Sequence, residues 1–123
     1  MNSPLDPKNI LVVDDEPSVR CAISLLLNCG GYLVEAVSNA ENALSCLRSG
    51  RYDLLMTDNV MPGMSGLDLA SEAKVRAPGM PVIMHTAYPP ARKPDYLDLV
   101  LVKPEGASHL LQSVDRFLQP DAA

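Results

Sequence analysis

Two adjacent acids, Asp14 and Asp15, follow the apolar run Asn9-Ile10-Leu11-Val12-Val13, and a third, Asp58, follows Leu54-Leu55-Met56-Thr57. Both runs are short, rich in β-branched and large aliphatic residues, and followed by segments of helical length, which is the pattern of parallel strands in an α/β sheet. The carboxyl ends of strands in such a sheet carry the ligands. Three carboxylates brought together there repel one another, and a hard divalent cation relieves that repulsion best. The chemistry indicated is a magnesium-dependent phosphoryl site. Acids are also favoured at helix N-termini by the helix dipole, so the Asp14-Asp15 pair alone does not separate a site from a solvated helix start.

Thr86 closes a fourth strand-like run and Lys103 a fifth, which aims a hydroxyl and an ammonium at the same rim. A carboxylate can form an acyl phosphate directly, which makes Asp58 the candidate nucleophile. A metal ion, a hydroxyl and an ammonium together stabilise the charge that builds on the transferred oxygens. Lys103 is expected to contact the phosphoryl group only once Asp58 is modified. Taken singly, a strand threonine bonds backbone and a lysine faces solvent; the joint placement carries the argument.

The elements that position these residues are five strand-like runs alternating with helix-like segments. Pro17 suits a first helical turn, Val19, Ala22, Ile23 and Leu26 form an inward stripe, and Gly30-Gly31 ends the helix. Residues 32–37 read as the second strand. Ser38 with Glu41 forms a capping-box signature before Ala40, Ala43, Leu44 and Leu47, and Gly50 follows where that helix stops. A Met/Gly-rich loop runs to Gly66, a helix continues to about Arg76, and Ala77-Pro78-Gly79 halts it. Residues 81–86 form the fourth strand, and the fifth lies near 98–102. The last helix turns Leu110, Leu111, Val114, Phe117 and Leu118 inward. Met56, Met61, Met64, Met80 and Met84 read as core or loop fillers, and His85 and His109 as packing or solvent-exposed residues with no metal partner.

With 123 residues, 47% hydrophobic and 20% charged, the chain is one globular domain with no room for a second. Residues 1–8 and 120–123 read as tails around a domain at 9–119. A net charge of -5 without a Lys/Arg stripe argues against nucleic acid or an anionic membrane as direct partners. Cys21, Cys29 and Cys46 are odd in number and lack C-x-x-C spacing, so they read as reduced core or near-core thiols of a cytoplasmic protein. No signal peptide or membrane span is legible.

Four segments together carry a resemblance: Ile10-Leu11-Val12-Val13-Asp14-Asp15-Glu16, residues 58–66 with Met61-Pro62-Gly63, then His85-Thr86-Ala87 and Val102-Lys103-Pro104. Over nearly its whole length the chain resembles a response-regulator receiver domain of two-component signalling, in the CheY-like, flavodoxin-like superfamily. The resemblance implies a doubly wound five-stranded parallel sheet of order 2-1-3-4-5 in a (βα)5 fold, with the site between the first and third strands. It implies that Asp58 takes a phosphoryl group from a sensor histidine kinase or phosphotransfer protein. Asp15, Asp58 and the backbone carbonyl of Val60 would hold Mg2+, and Asp14 would assist through water. Thr86 and Lys103 would hold the phosphoryl oxygens, the Lys103-Pro104 bond would be cis, and an unidentified downstream protein would read the modified state. The only reactions catalysed would be the domain's own phosphorylation and dephosphorylation.

The chain departs from the family pattern between Thr86 and Lys103. Pro89, Pro90 and Pro94 predict a shortened or irregular fourth helix. Val100 stands where the family has an aromatic, so the usual threonine-aromatic coupling is not expected; the proline-rich stretch from Tyr88 to Tyr96 is not expected to form the usual helical dimer face, and a monomer is expected. Two rivals remain. A magnesium phosphohydrolase would want D-x-D after the first strand, where Asp14-Asp15-Glu16 stands. A pseudo-receiver would have lost part of the set Asp14, Asp15, Asp58, Thr86 and Lys103.

Overall fold

Uninterrupted apolar runs form central strands when both faces of a sheet are covered. In the computed structural model, which describes residues 6–119, this is the case for β1 (Asn9–Val13), β3 (Leu54–Thr57) and β4 (Val82–Thr86), buried almost throughout. The remaining elements are α1 (Pro17–Cys29), β2 (Leu33–Val37), α2 (Ala40–Ser49), α3 (Gly66–Arg76), β5 (Leu99–Val102) and α4 (Ala107–Leu118). All strand pairings are parallel, and the order is β2-β1-β3-β4-β5, as expected. The tail residues 1–5 and 120–123 lie outside the described residues.

Alternation along each strand divides the interior into two cores. Leu11, Val13, Leu55, Val82 and Met84 face α2 and α3, whereas Ile10, Val12, Leu54, Met56 and Ile83 face α1 and α4. Register does the positioning: Val13 pairs with Thr57, Thr57 with Met84, and Thr86 with Val102, so the strands finish at one rim. Of the methionines read as fillers, Met56, Met61, Met80 and Met84 are buried and Met64 packs partly buried against the core.

Several local expectations are corrected. The α2 cap is Asn39, whose side chain accepts from the Asn42 N–H at 2.7 Å, and the Ser38–Glu41 box does not form. Asn39 has the extended backbone an N-cap needs, and this leaves Glu41 free to reach elsewhere. On α1 the buried positions are Ile23 and Leu27, with Ala22 exposed. Cys21 and Cys29 are exposed and Cys46 is half-buried, so two of the three thiols are not core groups; all are free. At its C-terminus α1 closes as expected at Gly30-Gly31, where Gly31 takes φ +96 and the Tyr32 N–H returns to the Leu27 carbonyl at 3.1 Å. Tyr32 precedes β2, is buried, and its hydroxyl donates to Asp115 on α4.

Between β4 and β5 no helix forms among residues 87–98, where a shortened or irregular one was expected. Pro89, Pro90 and Pro94 withhold three backbone donors from any helical ladder there. The segment is held by side chains instead. Leu97 is fully buried in the α2/α3-side core with Tyr96 packed beside it, and the Lys93 ammonium donates to the Leu97 carbonyl at 2.9 Å. Asp98 accepts from the Val82 N–H and the Lys74 ammonium, each at 2.7 Å, which pins the end of the segment to β4 and α3. Because one leucine replaces a helix as the anchor, Leu97→Ala should lower stability by about 2–5 kcal/mol. Leu25→Ala, at a site 61% exposed, should change it by under about 0.5 kcal/mol. Urea midpoints compare the two, and equal small effects would show that Leu97 does not hold the segment.

Candidate functional site

Asp14 and Asp58 extend the sheet ladder past the strand ends. The Asp14 N–H donates to the Val37 carbonyl at 3.2 Å and the Asp58 N–H to the Val13 carbonyl at 2.9 Å, so both Cα atoms are fixed by backbone pairing. Asp14 is 2% exposed and Asp58 9%, while Asp15 is open to solvent. One carboxylate oxygen from each of the three lies within 4.8 Å of the others. The set is all hard oxygen with an open side for water, which suits a divalent cation that keeps part of its hydration shell.

Lys103 already compensates the acids in the unmodified protein. Its Nζ lies 2.8 Å from Asp14 Oδ2 and 3.1 Å from Asp58 Oδ2. Burial alone would lower its pKa, but hydrogen bonds to Asp14 and Asp58 outweigh burial and raise it, so the ammonium form persists. One ammonium against three carboxylates leaves negative charge in excess. The Lys103-Pro104 bond is cis, as the resemblance implied, and the Lys103 N–H donates to the Thr86 carbonyl at 2.9 Å.

Thr86 is fully buried at the end of β4, and its Oγ1 accepts from the Tyr88 N–H at 3.1 Å. No hydrogen bond joins it to Asp58 among the described residues. Val60 lies two residues past Asp58 in the loop to α3, with its side chain 58% exposed. Asp58 Oδ1 accepts from the Asn59 N–H at 2.6 Å, and the Asn59 amide donates to the Tyr88 carbonyl at 3.0 Å, joining the loops after β3 and β4. Gly66 is demanded by close approach: a Cβ there would stand 1.8 Å from the Asp58 carbonyl oxygen, where the Gly66 N–H meets Asn59 O at 2.7 Å.

Two contributors were not assigned to the site from sequence. Arg20 on α1 donates to the Asp14 carbonyl at 2.8 Å, bracing the turn that carries both acids. Its only sequence signal is a basic residue one helical turn into α1, which decides nothing by itself. Glu41 had been assigned to a capping box, and instead accepts from the Met64 N–H at 3.2 Å.

This doubly wound parallel sheet, with an acidic cluster and a lysine at the carboxyl ends of its strands, defines a flavodoxin-like α/β domain with an acidic rim. The response regulator receiver domain family matches residues 10–115, and the chain belongs to that family, the receivers of two-component signalling. The DNA-binding response regulator MtrA of Mycolicibacterium smegmatis is 34% identical over 100 residues, 81% of this chain and 41% of that protein. The chain thus spans about two fifths of that relative's length. A CheY-like receiver domain protein from Methanospirillum hungatei superposes with a TM-score of 0.88 at 28% identity, covering 94% of this chain and 96% of that one. Response regulator TrrA from Thermotoga maritima, solved in complex with Mg(2+)-BeF, is similar at 36% identity and TM-score 0.83, covering 89% of this chain and 98% of that one. TrrA has also been solved with the histidine kinase ThkA; that structure gives 37% identity and TM-score 0.82 over 90% of this chain and 98% of that one.

His85, on the face of β4 opposite Thr86, is 7% exposed with its Nδ1 buried and unpartnered. His109, by contrast, is exposed and pairs with Glu105. Burial lowers the His85 pKa, and Lys103 lowers it further against the opposing pull of Asp14, Asp58 and Glu105. The unfolded chain therefore binds a proton near the ordinary pKa of 6.5 that the folded chain refuses, so stability present above that pH is lost as pH falls through it. Unfolding midpoints should decline from pH 7 to pH 5.5 in the wild type and decline less in His85→Leu. Parallel profiles for the two proteins would contradict this role of His85.

Proposed function

We propose that Asp58 is the phosphoacceptor of this receiver domain, with Asp15, Asp58 and the Val60 carbonyl holding Mg2+ and Asp14 assisting through water. The observation that carries this reading is the lysine-bridged acid cluster, in which Lys103 spans Asp14 and Asp58. The functional unit is residues 9–119.

A carboxylate oxygen of Asp58 attacks phosphorus on a phosphohistidine, the P–N bond breaks, and the departing imidazole keeps the bonding pair. Mg2+ held by Asp15, Asp58 and the Val60 carbonyl would supply charge neutralisation there. Lys103 follows the growing charge from the carboxylates onto the phosphoryl group, a move of one ammonium between neighbouring anions. The Thr86 hydroxyl turns from the Tyr88 N–H to donate to a phosphoryl oxygen. That exchange frees the start of residues 87–98 and couples chemistry to the loop.

The donor is a sensor histidine kinase or phosphotransfer protein, a reading supported by the kinase complex solved for TrrA. The reading is of a cytoplasmic signalling domain that turns over only its own phosphoryl group; among the described residues no helix is long and apolar enough to cross a membrane. The downstream reader is a protein, and the domain is monomeric. DNA binding is named for MtrA, a protein much longer than this chain, and stands against the expectation of no direct nucleic-acid contact. The charge of -5 supports the reading that any such contact is made outside the receiver surface. Val100 is half-buried against the α2/α3-side core and has no ring to swing, so output falls on residues 87–94. The phosphohydrolase alternative finds no D-x-D after β1, and the pseudo-receiver finds no missing member of the set.

Incubation with a small acyl-phosphate donor and Mg2+ should add one phosphoryl group by intact mass. Asp58→Asn should add none, and Asp15→Asn should label about tenfold or more slowly. Unchanged labelling of Asp58→Asn would sink the assignment.

A further inference from the structure

We propose that Glu41 is a positioning residue for the metal-binding loop, an inference that rests on the phosphoacceptor reading above. Glu41 stands in the first turn of α2, where Asn39 already caps the helix. Its carboxylate crosses to the loop between β3 and α3 and accepts from the Met64 N–H at 3.2 Å. The backbone opposite is shaped to admit it. Gly63 takes φ +83, and a Cβ there would stand 3.0 and 3.4 Å from the two Glu41 carboxylate oxygens. A side chain at position 63 would be strained and would crowd the carboxylate.

The loop has few other ties. Its ends are secured at Asn59, by Gly66 and Tyr88, and Met61 is buried in the core. Among the described residues, the Glu41 contact is the one hydrogen bond from residues 60–64 to a distant element. Those residues carry the Val60 carbonyl, which must be aimed inward although the Val60 side chain is exposed. A metal contact made by backbone cannot be adjusted by a rotamer, so the loop's placement sets it. Glu41 supplies that placement from a rigid helix.

The same carboxylate also favours the α2 dipole, and the two roles separate by substitution. Glu41→Gln loses the charge but keeps a carbonyl acceptor for Met64; Glu41→Ala loses both. The test measures Met64 amide exchange in metal-free protein and Mg2+ affinity by amide chemical shifts, in wild type and both variants. In Glu41→Ala, Met64 exchange should quicken and Mg2+ binding should weaken about two- to tenfold, with Glu41→Gln close to wild type. Gln behaving like Ala in both readouts would leave Glu41 a helix-dipole residue and overturn the inference, as would Ala behaving like wild type. A wild type that shows no Mg2+ response would overturn the metal reading itself, and with it the role assigned to Glu41.

Discussion

Mutual repulsion among Asp14, Asp15 and Asp58 is the constraint on which the rest depends. Two of these acids are almost out of water, and unpaired carboxylates there would be costly. Lys103 relieves the repulsion in part by bridging Asp14 and Asp58, drawn in from the far side of β4 by the end of β5. The bridge leaves Asp15 uncovered and the cluster still negative. A site arranged this way keeps an excess of negative charge, which is what the proposed cation binding and phosphoryl transfer require.

The fold supplies what this arrangement needs, which is strands that end together and cannot slip. Sheet faces covered on both sides fix register, because a one-residue shift would send every side chain of a strand to the opposite core. Gly66 brings α3 against the backbone of Asp58, and Arg20 braces the carbonyl of Asp14, so both acids are held from their main chain. The side chains then need only small motions. Beyond β4, residues 87–98 are anchored in the core near their end by Leu97 and held there by Asp98, while at their start Tyr88 is 67% exposed and held by hydrogen bonds with Thr86 and Asn59. The Tyr88 N–H bonds the Thr86 hydroxyl, so this segment begins on a residue proposed to take part in the chemistry.

The strands and the gathering of Asp14, Asp15, Asp58, Thr86 and Lys103 at one rim were legible because apolar runs and strand-end residues report directly on a parallel sheet, whereas the strand order came from the family resemblance. Local choices between equivalent partners were not. Ser38 and Asn39 are both good caps, and only the backbone conformation decides for Asn39. Cys21 and Ala22 lie beside Ile23 on a helix whose inward face is narrow, so periodicity misplaced them by part of a turn. Prolines announced trouble in the fourth helix but could not say that Leu97 would replace it. The Lys103 bridge, the reach of Arg20 and the placement of Glu41 are contacts between long side chains and distant partners, set by tertiary geometry and without a pattern in the chain.

The central claim is that the rim is a repulsive acid cluster in which Lys103 and a divalent cation perform overlapping electrostatic work. Thermal unfolding of wild type and Lys103→Met across a Mg2+ titration tests it most directly. Without metal, Lys103→Met should be less stable by about 1–3 kcal/mol, because buried carboxylates lose their partner. Added Mg2+ should stabilise both proteins by mass action and the variant more, narrowing the gap. Equal stability without metal, or no response of either protein to Mg2+, would contradict the account.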